Sequence, residues 1–400
     1  MLKSFAKRLK LLCKAFLLKY NIKYVRMDLQ YKFRGIQMKK AIAVWIVAFI
    51  LFGVYAGLFF YYNSEETKPA KGDVVISSSS GEDIKDDTIY INISAVGDCT
   101  LGVDINGLGG GSFDDEFEKS GKKFSHFFEN VEPILKKDDL TIVNFEGTLS
   151  ENGERQEKQY AFRGNPQYAK ILSEGSVEAA NLANNHSMDY GEIAFNDTKK
   201  HLNDSGIKTF GKNEYEIINI KGIRFGLIGT SLLTYAERVN FPKVMENLKL
   251  EKPDIIIASF HWGEENETSP TTDQIQFAHQ AIDLGADLVL GHHPHVLQGI
   301  EKYNGKYIVY SLGNFCFGGN RSPKDKDTMI FCYTFCFKYG ERIYEKETAS
   351  IIPCSISSVS GRNDFKPSLL KSDEYDRVKE KIIKLSENFD GIRDISFISK

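Results

Sequence analysis

The chain has 400 residues, with 51 Lys and Arg against 54 Asp and Glu and a formal net charge of −3, enough length for two or three domains or one large one with appendages. The charge is uneven: residues 1–40 hold twelve Lys and Arg and a single acid, Asp28, so the remainder is clearly acidic. An acidic body excludes the basic surface that nucleic-acid binding requires.

Leu2, Phe5, Leu9, Leu12 and Phe16 fall at helical spacing among Lys and Arg, the pattern of a basic helix on a membrane surface. Met38-Lys39-Lys40-Ala41 reads like an ordinary start of a membrane-targeting segment, so Met38 is an alternative initiator. Residues 41–62 carry no charge over 22 positions, and a helix rising ~1.5 Å per residue then covers a hydrocarbon core of ~30 Å. The basic flank (1–40) predicts a cytoplasmic N-terminus and an external body. A cleaved signal peptide is the competing reading, but the run is long and no A-x-A site follows. Residues 63–87, rich in Ser, Glu, Lys and Asp, lack the apolar side chains to offset ordering and read as a linker. The six cysteines show no C-x2-C pair, and Cys332 and Cys336 are too far apart along one strand for a disulfide. No disulfide framework is expected.

From residue 88 the pattern alternates. Strands are expected over 89–96, 140–145, 177–182, 223–229, 254–260, 286–290 and 306–312, and helices over 123–137, 166–174, 191–205 and 272–284. This defines a domain over 88–320 of α/β class. Residues 321–400 add strands over 329–337 and 349–359 and a charged helix over 373–388, completing or decorating that domain.

Polar residues recur where the apolar strands end, which is where α/β sheets place their sites. His292, His293 and His295 concentrate three of eight histidines in four residues. His293 and His295, with Asp98, Glu146, Asn185, His186 and His261, make a set of carboxylates, imidazoles and an amide suited to borderline divalent ions. Singly, each has a plain alternative: Gly97-Asp98 is also a turn signal, His261 beside Trp262 is also a packed histidine, and 292–295 is also a polar loop. Asn184-Asn185-His186 is the stronger signal, because successive polar groups after an apolar strand are expensive without partners.

Asp98, Asn144-Phe145-Glu146-Gly147-Thr148, Ala183-Asn184-Asn185-His186-Ser187-Met188-Asp189-Tyr190-Gly191, His261-Trp262-Gly263, Gly291-His292-His293-Pro294-His295-Val296 and Tyr310-Ser311-Leu312-Gly313-Asn314-Phe315 resemble, in order, the poly-γ-glutamate capsule-synthesis (CapA) family. That family resembles calcineurin-like metallophosphoesterases. The resemblance implies a four-layer α-β-β-α sandwich and metal ligands at Asp98, Glu146, Asn185, His261, His293 and His295. It implies His186 as general acid or transition-state donor, and one or two divalent ions (Mn, Fe or Zn). Asn144, Arg163 and Asn314 are the expected substrate-binding residues, with a solvated Arg163 as the alternative. The chain departs from the metallophosphoesterase pattern at Asp98-Cys99-Thr100, where Asp-x-His is usual, and at Glu146, where Asp is usual. One strong and one weak metal are therefore expected.

The implied protein is membrane-anchored and extracytoplasmic, working in capsule or exopolymer assembly with a metal-dependent hydrolase-like centre. Its partners would be the anionic polymer and the membrane-embedded synthase and export subunits. Two alternatives stand beside it: an extracellular phosphoesterase acting on a cell-envelope component, and a non-catalytic polymer-binding assembly factor.

Overall fold

Two runs without a charged residue, Ile255–His261 and Leu288–His292, are buried along their entire length. Continuous apolar strands of this kind need cover on both faces, and the fold supplies it. The computed structural model describes residues 87–107 and 111–399. The basic segment, the apolar run 41–62 and nearly all of the linker lie outside those residues. Among the described residues no helix is long and apolar enough to cross a membrane.

The sheet holding these two strands runs Ile300–Tyr303, Lys306–Val309, Leu288–His292, Ile255–His261, Ile223–Ser231, Tyr215–Ile220. Its inner four strands are parallel and both edges are antiparallel. The other sheet is built around Thr88–Thr100. Leu140–Phe145, Ala179–Asn181 and Lys208–Phe210 follow in parallel on one side. Asp327–Lys338 and Thr348–Ser355 lie antiparallel on the other. Asn314–Phe317 joins the C-terminal end of Thr88–Thr100 in parallel, with Asn314 opposite Asp98.

Strand alternation sends each sheet's side chains to two cores. Ile91, Ile93 and Ile142 of one sheet share a core with Leu227, Ile257 and Leu290 of the other. Outside the first sheet, Val96, Val143 and Ala180 pack with Phe113, Leu135 and Ile171. Outside the second, Ile256, Ala258 and Val289 pack with Phe241, Leu248 and Phe277. The layers therefore run helix, sheet, sheet, helix, and the described residues form one compact unit.

Local signals explain some boundaries and mislead at others. Thr272–Leu284 starts on a capping box, Thr271 accepting from the Gln274 amide, and stops at Gly285 with φ +117°. The long helix expected over 123–137 is instead a 3-10 turn, Phe124–Phe127, and a short helix, Glu132–Leu135. Pro133 cannot donate and its ring would clash with the preceding turn. The helix Tyr235–Leu250, not foreseen, carries Pro242 inside it and buries Phe241, Val244, Met245 and Leu248. The terminal helix Ser372–Leu385 inserts Val378 and Ile382 into the inter-sheet core. Cys99, Cys316, Cys336 and Cys354 are free thiols.

Candidate functional site

The strands deliver their end residues to one place. Against Leu140–Phe145 the register of Thr88–Thr100 slips between Ala95 and Asp98. At that kink a side chain on Gly97 would come within 2.1 Å of the Gly313 carbonyl, so only glycine admits the close approach. The Asp98 amide then donates to Gly313 O at 3.0 Å, and the Glu146 amide to Cys99 O at 2.8 Å. His261 ends its strand opposite His292. Beyond it, His293 has φ +95° and His295 φ +58°. Positive φ in a residue with a side chain costs ~1–3 kcal/mol and persists only where its surroundings impose it.

Glu146 lies at the centre, fully buried, and among the described residues neither of its carboxylate oxygens accepts a hydrogen bond. Its Oε1 is 3.7 Å from His186 Nε2, 3.8 Å from His261 Nε2 and 3.9 Å from His295 Nε2. Asn185 Oδ1 is 2.7 Å from His261 Nε2. The His293 ring stands 4.7 Å from that of His261 and 5.8 Å from that of His295, centroid to centroid. Asp98 Oδ2 accepts from the His293 amide at 3.2 Å and lies 3.3 Å from His295 Nδ1. Asp98, Glu146 and His295 each place a ligand atom within 4.8 Å of the others, and so do Glu265, His293 and His295.

A surrounding layer holds these groups in position. Asn144 donates to Asp98 Oδ1 at 2.8 Å and lies 3.2 Å from His261 Nδ1, while its oxygen accepts from Asn181 and Asn184. Asp189, 1 % exposed, holds His186 Nδ1 at 2.7 Å and also accepts from the Phe162 amide and from Lys158. Accepting the Nδ1 proton orients the His186 ring so that Nε2 faces Glu146. Phe162 covers that ring at 4.4 Å.

Burial dominates the electrostatics. It pushes the Glu146 carboxyl up to about 8; His295 opposes this and Asp98 reinforces it. Burial works against the His295 cation, but Glu146 and Asp98 outweigh it and raise the ring to about 10. Burial and then His293 hold His261 well below the usual imidazole range, while burial and then His295 bring His293 down to about 4. His186 is lowered by burial, with Asp189 opposing. Asp98 stays far below the usual carboxylate range because His292 and His295 overcome its burial. His261 and His293 are thus neutral near pH 7, the form in which imidazole ligates metals.

The structure brings Asp98, Glu146, Asn185, His186, His261, His293 and His295 together. The three residues expected to meet substrate stand otherwise. Asn144 is fully buried with its amide consumed by the protein, so it scaffolds the cluster from behind. Arg163 lies 3.6 Å over the Tyr190 ring and donates to the Asn152 and Gly153 carbonyls, none of them cluster members. Asn314 is 4 % exposed and its Oδ1 lies 2.9 Å from His295 Nδ1, orienting that ring. Sequence reasoning assigned no role to Asp189, Lys158 or Glu265. Asp189 had a usable signal, three residues beyond His186 on the same turn. Lys158 and Glu265 had none, since each is one charge among many in a polar loop.

A naked buried carboxylate is expensive. Surrounded by imidazoles, with the second carboxylate of Asp98 close by, it has the chemistry of a divalent-cation site, so the residues present fit one or two such ions. The chain matches the model of the bacterial capsule synthesis protein PGA_cap family over residues 72–319 and belongs to that family. The PGA biosynthesis protein CapA of Bacillus subtilis (strain 168) is 32% identical over 213 residues, 48% of this chain and 56% of that protein. The capsule biosynthesis protein CapA of Bacillus anthracis is 30% identical over 238 residues, 52% of this chain and 57% of its own length. The chain thus spans about half the length of these curated relatives. The solved 5'-nucleotidase of Candida albicans SC5314 aligns at 13% identity with a TM-score of 0.38, over 74% of this chain and 56% of its own, a likeness too slight to transfer anything.

Proposed function

We propose that this chain is a membrane-anchored, extracytoplasmic component of poly-γ-glutamate capsule assembly, with a metal-dependent, hydrolase-like centre at its strand ends. The observation that carries the metal is Glu146: a fully buried carboxylate with no hydrogen-bond donor among the described residues, ringed by three histidines within 3.9 Å. Family membership carries the pathway, and the uncharged run 41–62 behind a basic flank carries the anchor and the external location.

Asp98, Glu146, Asn185, His261, His293 and His295 would hold one or two ions. When bound, a divalent cation supplies positive charge that polarises a carbonyl or phosphoryl oxygen and neutralises an anionic polymer. The chain's own groups do the rest. Asp189 fixes the His186 ring, Lys158 neutralises Asp189, and Phe162 shields that pair from water. With Nδ1 donating to Asp189, His186 Nε2 at the edge of the cluster first takes up a proton and then gives it to a leaving group. The polymer reaches the centre from membrane-embedded synthase and export subunits, held close by the anchor.

The test uses the full-length chain, wild type and His293→Ala. Metal content is measured by elemental analysis, together with hydrolysis of poly-γ-glutamate and of a chromogenic phosphodiester. Bound Mn, Fe or Zn with polymer cleavage that the variant loses supports the proposal. Turnover of the phosphodiester alone replaces the polymer with a cell-envelope phosphoester. Metal without turnover leaves a polymer-gripping assembly factor, and no metal after reconstitution removes the centre.

A further inference from the structure

The metal set around Asp98 is one donor short. Side chains two apart on a strand share a face, so the position able to help Asp98 is Thr100. Its hydroxyl donates to the Glu146 carbonyl at 2.7 Å and is already used. Cys99 between them is fully buried in the outer core, its thiol 3.8 Å from the Gly97 carbonyl. The donors that gather within 4.8 Å of one another on the Asp98 side are Asp98, Glu146 and His295, three where a closed borderline-metal shell takes four.

Glu265 stands across the mouth. It is exposed on the loop that follows His261, yet a ligand atom of its carboxylate lies within 4.8 Å of those of His293 and His295. That loop is tied to the histidine turn itself, because the Asn266 amide donates to Pro294 O at 2.8 Å. Gln298 anchors it further on, donating to the Glu267 carbonyl at 2.8 Å. Two further observations point to a ligand there. His293 is 6 % exposed and its Nδ1 has no hydrogen-bond partner among the described residues. His295 gives its Nδ1 to Asp98 and Asn314, which leaves Nε2 free to face inward.

We propose that Glu265 is a metal ligand of this centre, joining His293 and His295 on the solvent side and supplying the donor that Cys99 and Thr100 do not. The proposal rests on the reading of the cluster as a cation site and deepens it. Carboxylate with imidazole selects a borderline divalent ion. Bonds of ~2.1 Å in a tetrahedral shell put donors ~3.4 Å apart, so the shell closes by a short swing of the exposed Glu265 side chain while the two histidines stay fixed.

The full-length chain, stripped with chelator, is titrated with Co(II), following heat and visible absorption, for wild type, Glu265→Gln, Glu264→Gln and Glu146→Gln. Glu264 is the exposed neighbour outside the set. The expected result is an affinity at least about 10-fold weaker in Glu265→Gln, with an altered cobalt spectrum, an unchanged Glu264→Gln and a weakened Glu146→Gln. Melting in chelator tests folding, and Glu265→Gln should match wild type there. Wild-type affinity and spectrum in Glu265→Gln, with Glu146→Gln weakened, overturns the role of Glu265 and leaves the centre standing. No Co(II) binding by wild type overturns both.

Discussion

Glu146→Gln probes the centre through stability, without requiring a known substrate. In the metal-free chain the folded Glu146 carboxyl sits near 8 against ~4.3 unfolded. Between those values the folded state holds the proton that the unfolded state has lost, so stability falls as pH rises from about 4 to about 8. His295, raised to about 10 when folded from ~6.5, acts in the same sense: its contribution is complete below 6.5 and is lost as pH climbs to 10. At one pKa unit per ~1.4 kcal/mol, and allowing for the mutual dependence of this pair, ionising Glu146 costs about 3 kcal/mol. For a unit of this size that is on the order of 5 °C in Tm. Thermal melts in chelator at pH 6 and pH 9 should show wild type falling by that order more than Glu146→Gln. Added Zn or Mn should restore wild type at pH 9, because a cation pairs with the carboxylate, and should stabilise the variant far less. A variant with the wild-type pH slope and the wild-type response to metal would refute the argument.

Three other perturbations follow from single sites. Burial raises Asp138 to about 6 and Glu178 to about 7, both around Thr141. Folded carboxyls raised in this way lose stability as pH climbs from about 4 to 7. Discounted for partial exposure, each contributes roughly 1 kcal/mol, so Asp138→Asn should show a flatter profile than wild type in urea melts at pH 5 and pH 7. Asp189→Ala strips acceptors from Lys158, His186 Nδ1 and the Phe162 amide. A loss of about 3 kcal/mol is expected, checked by urea denaturation; a loss under ~1 kcal/mol would mean that solvent replaces the carboxylate. Gly97→Ala drives a methyl group to 2.1 Å from the Gly313 carbonyl. It should cost roughly 3 kcal/mol or more and displace Asp98, read as loss of soluble protein or of metal binding.

Much of the site could be read from the chain because strand ends are local. Ile255–His261 and Leu288–His292 announce themselves as apolar runs, and their polar termini have to emerge at a sheet edge. Asp98, Glu146, Asn185, His186, His261, His293 and His295 were recoverable from that rule together with the order of motifs. Thr271 and Gly285 likewise mark both ends of their helix. Other elements depended on distant partners. Tyr235–Leu250 carries an internal proline and a weak apolar stripe, yet it is a helix because Phe241 and Leu248 have a sheet face to cover. Residues 123–137 had the apolar spacing of a helix and lost it at Pro133.

Roles, as opposed to ligand types, were decided by tertiary structure. Asn144 and Arg163 both had suitable chemistry for substrate, but Asn144 is enclosed by Asp98, His261, Asn181 and Asn184, and Arg163 is drawn onto Tyr190. Glu265 gained a place beside His293 and His295 only because the loop after His261 is pinned to Pro294. Sequence specifies which groups a strand end carries, since pleat and hydrophobic pattern act over a few residues. Which of those groups meet, and which are spent on holding the others, depends on contacts between segments as distant as Asp98 and His293, set by how two sheets and their helices pack.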